Sequence, residues 1–232
     1  SMILGDDGTK LSKRHGAVSV MQYDEDGYLP EAVLNYLARL GWSHGDDEVF
    51  SMAQFVQWFD LDHVTSSAAQ FNTEKLNWLN AHYLKSAAAT RLAGEVAGRL
   101  AKRGIDPEAG APLEKVVALY QDRVASLNEL ADAVEPFCLF VHPSAEMIAT
   151  HLTDAARMAL KDLRNRLASC PWEKAAIGAA MKETLNACGM KMPQVAIPLR
   201  VALLGQPQSP AIDAVLKVLG RNEVLARIDR YC

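Results

Sequence analysis

The chain has little cysteine: four residues in 232, at Cys138, Cys170, Cys188 and Cys232, with no C-x-x-C pair. That spacing indicates neither a zinc site nor a disulfide framework, and free thiols in a reducing cytoplasm fit best. His63, His82, His142 and His151 are equally scattered, with no partner spacing for zinc or a catalytic triad. Asp46-Asp47-Glu48 reads as a solvated loop, because acids adjacent in sequence do not converge on a cation by themselves, and no metal site is expected. No uninterrupted apolar run is long enough to span a bilayer, and no signal peptide is visible, so a cytoplasmic protein without a membrane partner is expected. Repeats, low-complexity tracts and coiled-coil heptads are missing as well. The net charge of −4 gives no global sign of a polyanionic partner.

Half of the residues are hydrophobic, enough for a substantial core, and the length allows one large or two to three small domains. Charge is unevenly placed. Residues 1–80 are acid-rich, whereas from Lys191 onward six basic residues (Lys191, Arg200, Lys217, Arg221, Arg227, Arg230) face three acidic ones (Asp213, Glu223, Asp229). The C-terminal end is therefore the place for an anionic partner, although a solvated helical face has the same composition.

After residue 28 the pattern is helical almost throughout. Pro30 suits a first helical position, and Val33, Leu34, Leu37 and Leu40 recur at helix spacing. Ser51-x-x-Gln54 and Ser126-x-x-Glu129 have the form of capping boxes. Leu92, Val96 and Leu100 make one apolar face, and Leu160, Leu163 and Leu167 another. Trp42, Trp58 and Trp78 are expected on apolar helical faces in the core. Pro136 reads as a break and a candidate domain boundary. Pro171 opens a helix that Gly189 closes. Three short helices follow: one from Pro198 to Gly205, one entered through Ser209 as N-cap and Pro210, and one capped by Asn222.

The most informative stretch is Ile3–Val20, ILGDDGTKLSKRHGAVSV. Gly5-Asp6-Asp7-Gly8 is a reverse-turn signal, so Lys10, Ser12 and Lys13 ride on a loop just past it. Two lysines and a hydroxyl on a loop suit polyphosphate chemistry, because ammonium groups stabilise charge that develops on phosphoryl oxygens. Taken alone, Lys-x-Ser-Lys also fits an ordinary solvated loop.

KLSKRHG resembles the KMSKS signature of class I aminoacyl-tRNA synthetases, in the form seen in bacterial glutamate–tRNA ligases. LNYLARLGWSHGDDEVFS, FDLDHV, FNTEKLNWLNAHYLK and PLRVALLG resemble later segments of that family in the same order. Only nine residues precede Lys10, so the family's HIGH motif is absent. The chain resembles the C-terminal portion of such a ligase, starting at the KMSKS-type loop and lacking the Rossmann catalytic domain.

The resemblance implies an all-α fold of tandem helical domains with a short β-hairpin or loop remnant at the N-terminus. Residues 1–20 would be the loop that ends the catalytic region, and 21–85 a helical stem-contact domain. Residues 86–135 and 136–232 would be two anticodon-binding helical subdomains. It implies ATP and glutamate as substrates, with magnesium in the full-length enzyme, and tRNA(Glu) as partner to a monomer. Lys13 and Lys10 would be catalytic, and Lys10, Ser12 and Lys13 would bind the ATP phosphates. Arg200, Ser209, Pro210 and Ile212 would contact or line the site of anticodon bases, and Arg123 would read the third base. Leu204 stands where the family usually has Thr, and Gln206–Ser209 also departs from its pattern. Without the Rossmann half, ligase activity of this chain alone is expected to be negligible. The rival readings are a stand-alone helical interaction module, and a non-discriminating ligase that also charges glutamine tRNA; Arg123 argues against the latter.

Overall fold

The computed structural model describes residues 2–5, 8–10 and 19–232. Among these are thirteen helices and one two-stranded ribbon. The ribbon pairs β1 (Ile3–Leu4) in parallel with β2 (Ala69–Gln70). Beside it the expected reverse turn forms. Gly8 takes φ +74°, its N–H donates to the Gly5 carbonyl at 3.0 Å, and the Gly5 N–H donates to Thr9 at 2.8 Å. Leu4 and Lys10 face each other across this turn in an antiparallel bridge.

The chain divides into two compact units. The first comprises residues 1–96 and 121–130. It holds α1 (Val20–Glu25), α2 (Pro30–Arg39), α3 (Met52–Trp58), α4 (Thr73–Ser86) and the start of α5 (Ala89–Lys102). α2 packs on α4 through Tyr36, Leu76 and Leu79, with Phe71 and Tyr83 against them. Ser51 and Gln54 form the expected capping box at the start of α3. Ser126 accepts from the Glu129 N–H at 3.1 Å, but the Glu129 carboxylate reaches the Ala125 N–H, at 2.8 Å, one residue short of the usual partner.

Two buried asparagines stitch this unit together. Asn35 accepts from the Phe50 N–H at 3.1 Å and from the Tyr83 hydroxyl at 2.8 Å. It donates to the Glu48 carbonyl at 3.0 Å. Asn80 accepts from the Leu29 N–H at 2.8 Å and donates to the carbonyls of Gly27 at 3.3 Å and Ala125 at 2.6 Å. Buried amides are stabilising only when satisfied in this way.

The tryptophans correct the sequence expectation. Trp42 is buried among Phe50, Phe55 and Phe59, but on a bridge to Val64 and not on a helix. Trp58 is half-buried. Trp78 is 47% exposed. α4 turns Leu76, Leu79, Asn80 and Leu84 inward, which leaves position 78 on the opposite face, where the Lys75 ammonium sits 4.5 Å from the indole centroid.

The second unit comprises residues 97–120 and 131–232. It holds α6 (Leu113–Tyr120), most of α7 (Leu127–Cys138), α8 (Ala145–His151), α9 (Asp154–Ser169), α10 (Lys174–Cys188), α11 (Met192–Leu204), α12 (Ile212–Leu219) and α13 (Arg221–Ile228). α9 is its hub, packed against α10, α11 and α13 through the fully buried Leu160, Leu163 and Leu167. Arg227 is only 2% exposed; its guanidinium donates to the carbonyls of Pro136 and Leu203, each at 2.6 Å, and to Glu223 at 2.5 Å. One buried cation thus serves carbonyls near the C-terminal ends of α7 and α11, where the helix dipole favours positive charge.

Five boundaries differ from the sequence expectation. Pro136 lies inside α7 and Pro198 inside α11, so neither breaks or opens a helix. Around Pro198, Val195, Ala196, Leu199 and Val201 are all buried, and packing outweighs the one backbone bond that proline cannot make. α10 begins at Lys174 with Glu173 as N-cap, three residues after Pro171. The N-caps of α12 and α13 are Ala211 and Gly220, not Ser209 and Asn222. Gly189 and Gly205 do end their helices in the left-handed conformation, as their position implies.

Candidate nucleic-acid interface

A groove of about 770 Å³ in the second unit is walled by α11 on one side and by the 207–213 segment on the other. Arg200 is half-buried on α11. Its Nε–H donates to the Ser209 hydroxyl at 2.9 Å, and Ser209 donates to the Pro210 carbonyl at 2.8 Å. Among the described residues no carboxylate pairs with this guanidinium, so its charge is left uncompensated. Ile212 closes the apolar wall at the start of α12, with Met181, Ile197 and Ala196. Asp213 also lines the groove, with its carboxylate 3.5 Å from the Lys174 ammonium.

A planar cation with free donors, next to an apolar wall and a serine, suits an unstacked base: the wall takes its face and the fork takes its acceptors. Of the residues expected to contact RNA, the structure brings Arg200, Ser209 and Ile212 to one groove. Pro210 is buried beside them and accepts the serine bond. Arg123 belongs to the other unit; it is 55% exposed and lies 3.7 Å from Asp122. Lys10 is exposed at the end of the N-terminal turn. Ser12 and Lys13 lie outside the described residues.

Comparison with known proteins fits this geometry. Residues 60–232 match the family model described as anticodon binding domain. The chain belongs to that anticodon-binding family. Residues 1–78 match a second model, the catalytic domain of class I tRNA synthetases (E and Q). A glutamate–tRNA ligase of Azoarcus sp. (strain BH72) is 72% identical over 231 residues, and one of Dechloromonas aromatica is 61% identical. Both matches take in the whole chain and half of the relative, so the chain spans about half the length of the curated relatives it matches. Among solved structures, a glutamate tRNA ligase from Elizabethkingia meningosepticum, in complex with its amino acid, superposes with a TM-score of 0.85 at 26% identity. That match covers the whole chain and half of the other.

Sequence reasoning missed several groove residues of this anticodon-binding chain. Met192, Pro193, Ala196 and Ile197 precede Arg200 on α11 and share its face. They stand eight, seven, four and three residues before it, the helical spacing of one face. The signal was present, but starting the helix at Pro198 removed those positions from view. Asp213 was read as one charge of the tail and not as a groove residue.

Proposed function

We propose that this chain is the RNA-reading half of a glutamate–tRNA ligase, and that the Arg200 groove receives an anticodon base. The observation that carries the reading is Arg200 itself, a cation with only a neutral hydroxyl for a partner, beside an apolar wall in an anticodon-binding family. The match at up to 72% identity to glutamate–tRNA ligases along the whole chain supports it. Neither rival finds support: the matched domain is described by anticodon binding, and the relatives are named for glutamate alone.

On this reading residues 21–85 contact the tRNA stem, and residues 86–135 and 136–232 form the two anticodon-binding subdomains. Arg200, Ser209, Pro210 and Ile212 serve one base and Arg123 another. Residues 1–20 supply the phosphate loop. In the ligase, the glutamate carboxylate attacks the α-phosphorus of ATP and pyrophosphate leaves; the terminal tRNA hydroxyl then attacks the acyl carbon of the adenylate and AMP leaves. Lys10 and Lys13 would stabilise the charge that builds on the phosphoryl oxygens, with Ser12 beside them. Magnesium would accompany ATP in the full-length ligase; among the described residues no three His, Cys, Asp or Glu side chains converge, and no step is assigned through the ion. We place the protein in the cytoplasm as a monomer; among the described residues no helix is long and apolar enough to cross a membrane. Alone, the chain should bind tRNA and not aminoacylate it.

The test is binding of the chain to glutamate tRNA, glutamine tRNA and a glutamate tRNA with an altered anticodon, at two salt concentrations. Salt-sensitive binding that weakens when the anticodon changes supports the reading. Equal, weak binding to all three overturns it for this half.

A further inference from the structure

The second unit has another cleft, of about 760 Å³, that shares no lining residue with the Arg200 groove. Phe137 and Phe140 form one side, and Trp172, Arg221 and Arg227 line it as well. Its two cations are in different states. Arg227 is neutralised by Glu223 and tied to two carbonyls. Arg221 has no carboxylate partner among the described residues. Its Nη2 donates to the Cys170 carbonyl, its charge centre lies 5.5 Å from the Trp172 ring centroid, and its Nε–H is buried without an acceptor. The Trp172 indole N–H is likewise buried without one.

A half-buried guanidinium with one neutral acceptor, beside a second unanswered N–H, leaves positive charge and donor capacity uncompensated. Among the described residues, the only carboxylate lining the cleft, Glu223, is already committed to Arg227. The first intrahelical bond of α13 runs from the Val224 N–H to Gly220, so the N–H groups of Arg221, Asn222 and Glu223 precede it at the same cleft. The unpaired Arg221 charge and the two unanswered N–H groups of Arg221 and Trp172 favour an anionic acceptor with several oxygens.

We propose that this cleft binds a backbone phosphate of the bound tRNA through Arg221. The inference rests on the RNA-reading function above and adds a contact that positions the RNA without reading its sequence. A phosphate contact weakens binding equally for every anticodon when removed and flattens the salt dependence, whereas a base contact alters discrimination.

The test measures anisotropy of labelled glutamate tRNA, and of the anticodon-altered version, across a salt series for the unchanged chain, Arg221→Gln and Arg221→Lys. Arg221→Gln should weaken both tRNAs alike, by roughly five- to tenfold, and flatten the log–log salt slope by about 0.7 to 1. Arg221→Lys should keep most of the slope, because a lysine preserves the charge. An unchanged affinity and slope for Arg221→Gln would overturn the phosphate site while leaving the anticodon reading intact. If both variants lose binding in step with a fall in melting temperature, Arg221 only packs against Trp172 and Cys170, and the proposal fails. If inorganic phosphate raises the melting temperature of the unchanged chain but not of Arg221→Gln, while tRNA affinity is the same for both, the cleft takes free phosphate and the RNA contact is wrong. Failure of the unchanged chain to bind either tRNA would instead remove the function on which the proposal rests.

Discussion

Arg200 and Ser209 are joined by a hydrogen bond of 2.9 Å from the guanidinium Nε to the hydroxyl, which in turn donates to the Pro210 carbonyl at 2.8 Å. The serine oxygen is fixed in both roles, and the guanidinium plane is fixed with it. The bond uses Nε and leaves the terminal nitrogens, the fork that grips a base, for a ligand.

Ser209→Ala should therefore reduce anticodon discrimination without unfolding the chain. Loss of one half-buried hydrogen bond is on the order of 1 kcal/mol, which corresponds to about a fivefold weaker complex with the correct tRNA. Arg200→Gln, which removes the charge and the fork, should abolish the preference for the correct anticodon. Anisotropy titrations beside circular-dichroism melts check both. A Ser209→Ala protein with unaltered preference would show that the hydroxyl does not orient Arg200.

Asn80 is the stability counterpart. One fully buried amide holds Leu29, Gly27 and Ala125 at once. Asn80→Ala leaves the Leu29 N–H and the Ala125 carbonyl without the amide, while the Gly27 carbonyl keeps its bond from the Leu127 N–H at 2.8 Å, and should cost about 2–4 kcal/mol in urea unfolding. Asn80→Asp removes the two donors and buries a charge, and should be at least as destabilising. A cost below ~1 kcal/mol for the alanine variant would mean that water replaces the amide.

Local signals were readable in the sequence and tertiary ones were not. The Ser51–Gln54 capping box and the glycine stops at 189 and 205 depend on a few adjacent residues, and each stands where the sequence put it. Pro136 and Pro198 misled because proline reports a lost backbone bond but not the packing that compensates for it. Trp78 misled because its hydrophobicity was counted without the helix phase set by Leu76, Leu79 and Leu84. In the groove, Arg200, Ser209 and Ile212 came from the family resemblance. Their apolar wall required the true start of α11. The anchoring by Asn80 joins positions far apart in the chain, and no local pattern announces it.

The Asp162 carboxylate is held below its ordinary range, first by the Arg166 guanidinium, whose Nε lies 2.7 Å away, and also by the buried Thr184 hydroxyl at 2.8 Å; partial burial opposes both. A carboxyl lowered in the folded state stabilises the fold above its unfolded value, about 3.9, and that contribution is lost as pH falls through the folded value. Asp162→Asn should thus be less stable than the unchanged chain at neutral pH, and the gap should begin to narrow as pH falls below about 4. Urea midpoints at pH 7, 5 and 3 check this. A gap undiminished at pH 3 would assign the loss to packing against Thr184 and not to the charge.

Gly110 gives the sharpest test of packing. A Cβ there would lie 1.9 Å from the Phe137 carbonyl oxygen and 2.8 Å from the Cys138 Cα. Both are backbone atoms, so no side chain can swing aside. The same approach lets the Ala111 N–H reach the Phe137 carbonyl at 3.1 Å. Gly110→Ala must push this loop off the end of α7 and lengthen that bond, at a combined cost of about 2–4 kcal/mol. Gly94 and Gly98 provide the control. Both lie within α5, where an added Cβ meets nothing within 4 Å, so alanine there should stabilise by about 0.5–1 kcal/mol through helix propensity. Opposite signs for one chemical change, read from urea midpoints of the three variants, are expected if close approach at 110 controls the effect. A stabilising Gly110→Ala would show that the loop does not rest on Phe137, and the cleft built on that contact would lose one wall.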